Sequence, residues 1–316
     1  MEENKKIEVV YEKAAPSKRM LAYIIDVGIF VLTAIILFTF ANMGVRSSSF
    51  YTQKEKDLAT LKIESSLYVD DKVITDYIAN NSDYPNYEDK KAFLSNHIDA
   101  FYSNLTYFSD VAAQKEAYDK RKLDNPTLFE KNGEDEVVEK AVEPELLYKF
   151  YVEEVDNHAM TYLFNNIEYV KLTQFFFLVI LVEIIISVFL SFLIYFYIIP
   201  VTFFRRGRQT IGMKLQKIGL ISIYAVNQTF WVYTLRALFM FFVFIVVNFV
   251  SFLIPTFVSL AMMYFTKRNS SLANYVFNDY IVNVKDQDIY LDDVERYEAQ
   301  ESLKQLSIRD KDFSLK

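Results

Sequence analysis

The stretch Ser17-Lys18-Arg19-Met20-Leu21-Ala22-Tyr23-Ile24-Ile25-Asp26 opens an apolar segment that runs to Met43 and contains a carboxylate. Arg19 and Asp26 are seven residues apart, so an α-helix places them on one face, about 10 Å apart along its axis. Arg19 can reach lipid headgroups from the membrane edge, whereas Asp26 lies about two turns deeper. An ionisable group in hydrocarbon is costly, so it must face protein or water. The stretch therefore predicts a membrane helix, 19–43, with a polar site against neighbouring helices.

The composition predicts an all-α membrane protein. The 316 residues are 52% hydrophobic, and the apolar ones form blocks longer than the roughly 18 residues needed to cross hydrocarbon. The absence of cysteine excludes disulfides and cysteine-based zinc sites, and a net charge of −7 does not indicate a nucleic-acid-binding protein. The two histidines lack metal-ligand spacing and no catalytic motif is visible, so we expect no metal, no cofactor and no enzyme activity.

The first half of the chain predicts one membrane helix followed by an outer domain. Residues 1–18 are polar, and the basic residues at their end place the start of helix 19–43 in the cytoplasm. A secretory signal peptide is the poorer interpretation, because the apolar block begins late and lacks a small-residue cleavage site. Residues 44–171 then form an extracytoplasmic, mostly helical insertion domain.

Within the insertion domain, apolar residues recur at helical spacing, but those from Leu61 to Val69 alternate and predict a short strand. A last helix from about Glu143 is expected to continue without a break into the second span, 172–199. A protein partner for this domain, and a homo-oligomer of the chain, are left open.

The second half predicts a return to the cytoplasm followed by two further spans. A basic cluster after Pro200 marks 200–230 as a cytoplasmic, interfacial segment. The apolar run 231–267 is too long for one span, since roughly 20 residues suffice. We prefer a hairpin of two short spans over a single tilted one, because the hairpin keeps Lys267-Arg268 cytoplasmic. Residues 268–316 are then a cytoplasmic tail with a short helix over 291–306, so both ends of the chain are cytoplasmic.

Three charged residues lie inside the apolar blocks: Asp26, Glu183 and Arg236. Asp26 and Arg236 have matching depths, so an ion pair between them is geometrically plausible. Glu183 is nearer the middle of its span and has no depth-matched partner in the sequence. Such residues either lock helices together or form a transport or proton-coupling site, and both interpretations stay open. For Arg19 the simpler interpretation is an anchor at the cytoplasmic interface.

These landmarks together resemble the RDD family of bacterial membrane proteins, named for one arginine and two aspartates. Pro16 to Asp26 match its opening pattern, with Arg19 as the arginine and Asp26 as the first aspartate. The segment Gln209-Thr210-Ile211-Gly212-Met213-Lys214-Leu215 resembles the Gly-Gln-Thr-x-Gly-(Lys/Met)-(Lys/Arg) segment that follows the second span, with Arg208 replacing its first glycine. Arg236 matches a recurrent arginine at the start of the next span.

The family's closing pattern is also present, with a change. Lys267 to Asn274, followed by Tyr280-Ile281-Val282, resembles basic residues, Leu-His-Asp and an apolar end. Asn274 then stands where the second aspartate belongs, and Asp279 is a poor substitute by position. The resemblance covers 14–43 and 172–284 and leaves out the long insertion.

The resemblance implies an RDD-type bundle of about four transmembrane helices in a bacterial cell membrane, without established catalytic chemistry. The function it implies is transport of a cation, coupled to protons, or of a small solute. Asp26 and Glu183 would be proton or cation sites, and Arg236 a charge partner. The alternative is a non-enzymatic sensor, scaffold or assembly factor whose outer domain binds a partner.

Overall fold

The computed structural model describes residues 11–79, 81–285 and 289–314. Parts of three predicted segments lie outside the described residues: 1–10 of the N-terminal segment, Asn80 of the insertion domain, and 286–288 with 315–316 of the tail. The protein is mostly helical, at 67%, as predicted. It is not all-α, because the described residues also form three two-stranded sheets.

The helices and strands follow one another in a simple order. The helices are α1 (Pro16–Arg46), α2 (Ser49–Glu64), α3 (Ile74–Ala79), α4 (Tyr87–Tyr102), α5 (Val111–Leu123), α6 (Pro144–Glu154), α7 (Met160–Asn165), α8 (Ile167–Phe192), α9 (Ile199–Thr202), α10 (Ile211–Leu215), α11 (Phe230–Phe241), α12 (Asn248–Val250), α13 (Ile254–Phe265), α14 (Leu272–Val276) and α15 (Asp293–Ser314). The strands are β1 (Tyr68–Val69), β2 (Lys72–Val73), β3 (Phe129–Lys131), β4 (Val137–Glu139), β5 (Ile218–Ser222) and β6 (Asp279–Asn283). Single π-helical turns lie at Val155–Ala159, Leu193–Ile198 and Phe242–Val247.

The chain divides into two compact units, which we describe separately. The membrane unit comprises Met1–Ala41 with Glu183–Lys316, and the insertion unit comprises Asn42–Val182.

Three helical segments are long and apolar enough to cross a membrane, which indicates a membrane protein. They are α1, the 36-residue run Ile167–Thr202 and the 21-residue run Phe230–Val250. The second run joins α8 to α9 through a π-turn, and the third joins α11 to α12 in the same way. Many of their large apolar side chains are exposed, as residues that face lipid must be.

The fourth predicted span corresponds to α13, which is much shorter than the others. Its 12 residues would measure about 18 Å at 1.5 Å per residue, against a hydrocarbon core of roughly 30 Å. Phe252 and Leu253 have positive φ values of 50° and 68° and reverse the chain before it. Asn248 braces the reversal, since its amide donates to Thr256 Oγ1 (2.7 Å) and accepts from the Thr256 N–H (3.2 Å). The four-helix arrangement itself remains a prediction.

A small sheet completes the membrane unit where the sequence predicted only an interfacial segment and a tail. β5 and β6 pair antiparallel, with Ile218 opposite Asn283 and Ser222 opposite Asp279. The residues before α1 add an edge to it, because Ala14 N–H donates to Ile281 O (3.0 Å) and Asn283 N–H donates to Glu12 O (2.8 Å). The strands were missed because each is only five residues long and their partners are distant in sequence.

The insertion unit has its own hydrophobic core. Its fully buried side chains come from most of its helices and include Leu67, Ile74, Leu94, Phe101 and Leu147. The predicted strand over Leu61 to Val69 is wrong for its first half, because α2 continues to Glu64 and only Tyr68–Val69 pair with β2. Alternation over a few residues does not outweigh a helix that buries Leu61 against the core.

The expected continuous helix into the second span is also interrupted. Asn166 has an extended backbone (φ −63°, ψ 129°) between α7 and α8. Its side chain caps α8, accepting from the N–H groups of Glu168 (2.9 Å) and Tyr169 (3.2 Å). An asparagine is a preferred N-cap, so α8 begins afresh at this point.

Candidate functional site

Asp26 is the centre of a polar cluster inside the membrane unit. It is 5% exposed and accepts three hydrogen bonds: from Tyr195 Oη (2.6 Å), Thr210 Oγ1 (2.5 Å) and the Gly212 N–H (2.7 Å). Thr210 is also the N-cap of α10, since its Oγ1 accepts from the Met213 N–H. The carboxylate therefore joins α1 to the π-turn before α9 and to the start of α10.

Gly212 is required by this close approach. A Cβ at this position would lie 2.5 Å from Asp26 Oδ1 and nearer still to the carbonyl oxygen of Ala22. Only glycine lets the backbone N–H reach the carboxylate without displacing α1. The glycine and threonine of the family-like segment thus have a structural role: they recognise the aspartate of α1.

The predicted ion pair between Asp26 and Arg236 is wrong. Arg236 instead donates from Nε to Asp279 Oδ2 (3.0 Å) and from Nη2 to Asn274 Oδ1 (2.7 Å). Asp279 also accepts from Gln228 Nε2 (2.8 Å). Depth along the membrane was a poor guide, because it says nothing about which side of a helix each charge faces.

Asp279 is the functional-site candidate that the sequence analysis undervalued. It begins β6 and is fully buried. Burial raises the pKa of this carboxyl, and the Arg236 guanidinium partly offsets that rise. The available signal was its position directly before Tyr280-Ile281-Val282, an aromatic residue and two β-branched ones, which favour the strand β6.

Arg19, predicted as an anchor at the cytoplasmic interface, is buried within the membrane unit. It is 8% exposed and donates from Nε to Ala14 O (2.7 Å) and from Nη1 to Asn269 O (2.5 Å). These bonds join the segment before α1 to the turn after α13. Gln209 has a comparable role, since its amide donates to Ile218 O (2.8 Å). Lys214 is exposed and lies over the ring of Phe204 at 5.8 Å.

Glu183 belongs to a polar stripe on α8 and the π-turn that follows it. The stripe consists of Glu183, Ser187, Ser191 and Tyr195, all at most 5% exposed. Residues four apart share a helix face, so the stripe follows one buried side of the helix as far as Asp26. Ser191 fastens this side to α1 by donating to Phe30 O (2.8 Å). The spacing Glu-x3-Ser-x3-Ser-x3-Tyr was visible in the sequence but was not recognised there.

A cavity of about 160 Å³ lies beside Asp26 within the membrane unit. Its lining includes Arg19, Arg208 and Arg236. The rest of its wall is mostly apolar and comes from α1, α11 and α13, among other elements, with Met20, Phe192, Met240, Phe244 and Met263 as examples.

Two donors in the cavity wall have no hydrogen-bond partner within the described part of the chain. One is Arg208 Nε, on a side chain 8% exposed, and the other is Asn274 Nδ2, on a side chain 1% exposed. The guanidinium of Arg208 lies 5.6 Å from the centre of the Tyr233 ring, and burial lowers its pKa. Among the described residues no carboxylate forms an ion pair with it. Arg208 is thus buried although it belongs to the basic cluster after Pro200.

Comparison with known proteins gives no match: no protein-family model, no curated protein and no solved structure corresponds to this chain. The likeness to the RDD family therefore stays a resemblance.

Proposed function

We propose that this is an RDD-type multi-pass protein of a bacterial cell membrane that transports a small solute through its membrane unit. In this proposal both ends of the chain are cytoplasmic, the insertion unit lies outside the cytoplasm, and α13 is a fourth, short span. The observation that supports it best is the cavity, which combines three guanidiniums and Asp26 with apolar walls from helices of membrane-spanning length. Ionisable groups facing an intramembrane cavity mark a solute pathway by default.

The arrangement favours a small solute over a cation. Three donors already occupy the carboxylate of Asp26, so a cation would have to displace them. Three guanidiniums line the same cavity and repel a cation, since like charges at short range in a low dielectric interact strongly. We therefore assign Asp26 a locking role between helices and assign the solute to the cavity beside it.

The natural absence of cysteine allows a direct test by site-specific labelling. Ala237 lines the cavity, whereas Leu235 on the same helix is 58% exposed and lies outside the lining. We would place Ala237→Cys or Leu235→Cys in the otherwise cysteine-free full chain. Right-side-out and inside-out membrane vesicles would then be treated with charged, membrane-impermeant methanethiosulfonates.

Transport predicts that Ala237→Cys reacts from both sides of the membrane, while lipid-facing Leu235→Cys stays unreactive. Reaction from one side only, or from neither, would overturn the proposal. A one-sided pocket would favour the sensor or scaffold alternative, in which the insertion unit binds a partner.

A further inference from the structure

Among the described residues, the wall of the cavity contains two polar atoms without a hydrogen-bond partner, and both are donors. Arg208 Nε and Asn274 Nδ2 are both N–H donors, and both side chains are more than nine-tenths buried. Other buried atoms without a partner occur among the described residues, including Asp279 Oδ1 and Gln228 Oε1, but they do not line this cavity. A buried N–H donor without an acceptor is energetically costly, so a ligand that supplies an acceptor would be stabilised in this cavity.

The orientation of Asn274 is fixed by its neighbour. Its Oδ1 accepts from Arg236 Nη2 at 2.7 Å, so Nδ2 is the atom left over. A guanidinium cannot accept a hydrogen bond, which excludes the flipped amide. The neutral residue at the position of the family's second aspartate thus supplies a donor, where an aspartate would supply only acceptors.

The charges around the cavity also favour an anionic ligand. Asp279 compensates Arg236 at 3.0 Å, and Asp26 is the carboxylate in the lining. Arg19 and Arg208 complete the set of lining guanidiniums. The lining thus holds one more positive than negative charge once Asp279 is counted against Arg236. Neither Arg19 nor Arg208 makes a described ion pair, but Arg19 donates to two backbone carbonyls, whereas Arg208 keeps a buried Nε without a partner among the described residues. Arg208 is therefore the residue that a bound anion would compensate. A buried charge without a counterion is strongly unfavourable, and a bound anion would relieve it.

We propose that the solute is an amphipathic anion, whose carboxylate, phosphate or sulfonate group binds Arg208 and Asn274 and whose apolar part lies against Met240 and Phe244. This inference rests on the proposed function and names the solute class of the same cavity. Planar guanidinium groups bind such oxyanions with two parallel hydrogen bonds, which adds geometric selectivity to charge. The apolar wall from α11 and α13 gives the tail a water-excluding site.

The test compares reagents of opposite charge at one engineered thiol. Ala237 is one helical turn after Tyr233, whose ring lies beneath the Arg208 guanidinium. We would measure the reaction rates of Ala237→Cys with anionic sulfonatoethyl methanethiosulfonate and cationic trimethylammonioethyl methanethiosulfonate, each divided by its rate with free cysteine. We expect the anion to be favoured about tenfold or more, as in other clefts lined by one sign of charge.

Three variants and a matched control assign that preference to residues. Arg208→Gln should abolish the anion preference, and Arg208→Lys should keep much of it. Arg205→Gln removes the same charge from an exposed side chain three residues away and should leave it unchanged. Asn274→Asp, which restores the family residue, should reduce or reverse it. Equal rates for both reagents in the unmodified cavity, or an equal loss in Arg205→Gln and Arg208→Gln, would overturn the inference.

Protection of the Ala237→Cys thiol distinguishes an amphipathic anion from a free inorganic anion. This measurement needs no further substitution in the protein. Octanoate should slow the labelling of Ala237→Cys, whereas inorganic phosphate and octylamine should not. Protection by phosphate alone would indicate a site for a free inorganic anion and would overturn the proposal that the solute is amphipathic. Access from both sides without charge preference would leave the transport proposal standing and reject only the solute class.

Discussion

Replacing Gly212 by alanine tests whether the contact between α10 and α1 holds the membrane unit together. The added Cβ would lie 2.5 Å from Asp26 Oδ1 and 2.8 Å from its Cγ. Because those atoms belong to a short buried side chain, α10 must move away. We expect the move to break the bond from the Gly212 N–H to the carboxylate.

The expected cost has two parts. Overpacking a well-filled site costs about 1–3 kcal/mol, and losing a hydrogen bond to a charged group costs about 1.5–3 kcal/mol. Together they predict a loss of about 4 kcal/mol in the free energy of unfolding. For a unit of this size that corresponds to a fall of about 10 °C in Tm.

Thermal unfolding of the purified full chain in detergent, followed by helical circular dichroism, measures this loss. Gly28→Ala is the matched control, because no atom lies within 4 Å of the Cβ that would be added in α1. Alanine is favoured over glycine in a helix by about 1 kcal/mol, so this control should match or exceed the wild-type Tm. If Gly212→Ala unfolded within about 1 °C of Gly28→Ala, the tight contact we describe would not exist.

Three further predictions test the polar groups. Tyr195→Phe removes one hydrogen-bond donor from Asp26 and should lower the free energy of unfolding by about 1.5–3 kcal/mol. An unchanged Tm would contradict a stabilising role for this hydrogen bond. In the insertion unit, Arg121 donates to buried Glu154 at 2.7 Å, so Arg121→Met should cost about 3–5 kcal/mol, and adding Glu154→Leu should restore much of that loss by removing the stranded carboxylate. Burial raises the pKa of Asp279 above 3.8, so the folded state keeps its proton to higher pH than the unfolded chain, and the associated stability is lost as pH rises through the raised value. The Tm of Asp279→Asn should therefore gain on the wild type as pH rises above about 4, and a gap that stays constant would refute this sign.

Sequence patterns predicted the existence of the membrane helices and the burial of Asp26, because both follow from counting apolar residues around a charge. They did not predict the partners of Asp26, which are 169 to 186 residues away along the chain. Depth matching paired Asp26 with Arg236, but an ion pair also depends on the rotation of each helix, which a hydropathy pattern does not fix.

The hydrogen-bond donors of the cavity could not be predicted from the sequence for the same reason. Arg208 follows two other basic residues, and such a cluster is usually a solvated, cytoplasmic one. Its burial results from a backbone with positive φ at Gly207 (75°) and Arg208 (43°) that turns the side chain towards Tyr233. The sequence showed Asn274 only as the replacement of a charged aspartate. Its side-chain N–H donor in the cavity is visible only in the structure.

The pairing of the segment before α1 with β6 has a consequence for biogenesis. Residues 12–14 are synthesised before α1, yet their hydrogen-bonding partners at 281–283 are synthesised only after α13. The first helix therefore lacks this pairing until β6 has been synthesised. A chain truncated before β6 would lack that strand as well as Asp279, so the segment before α1, β5 and Arg236 would all lose their partners.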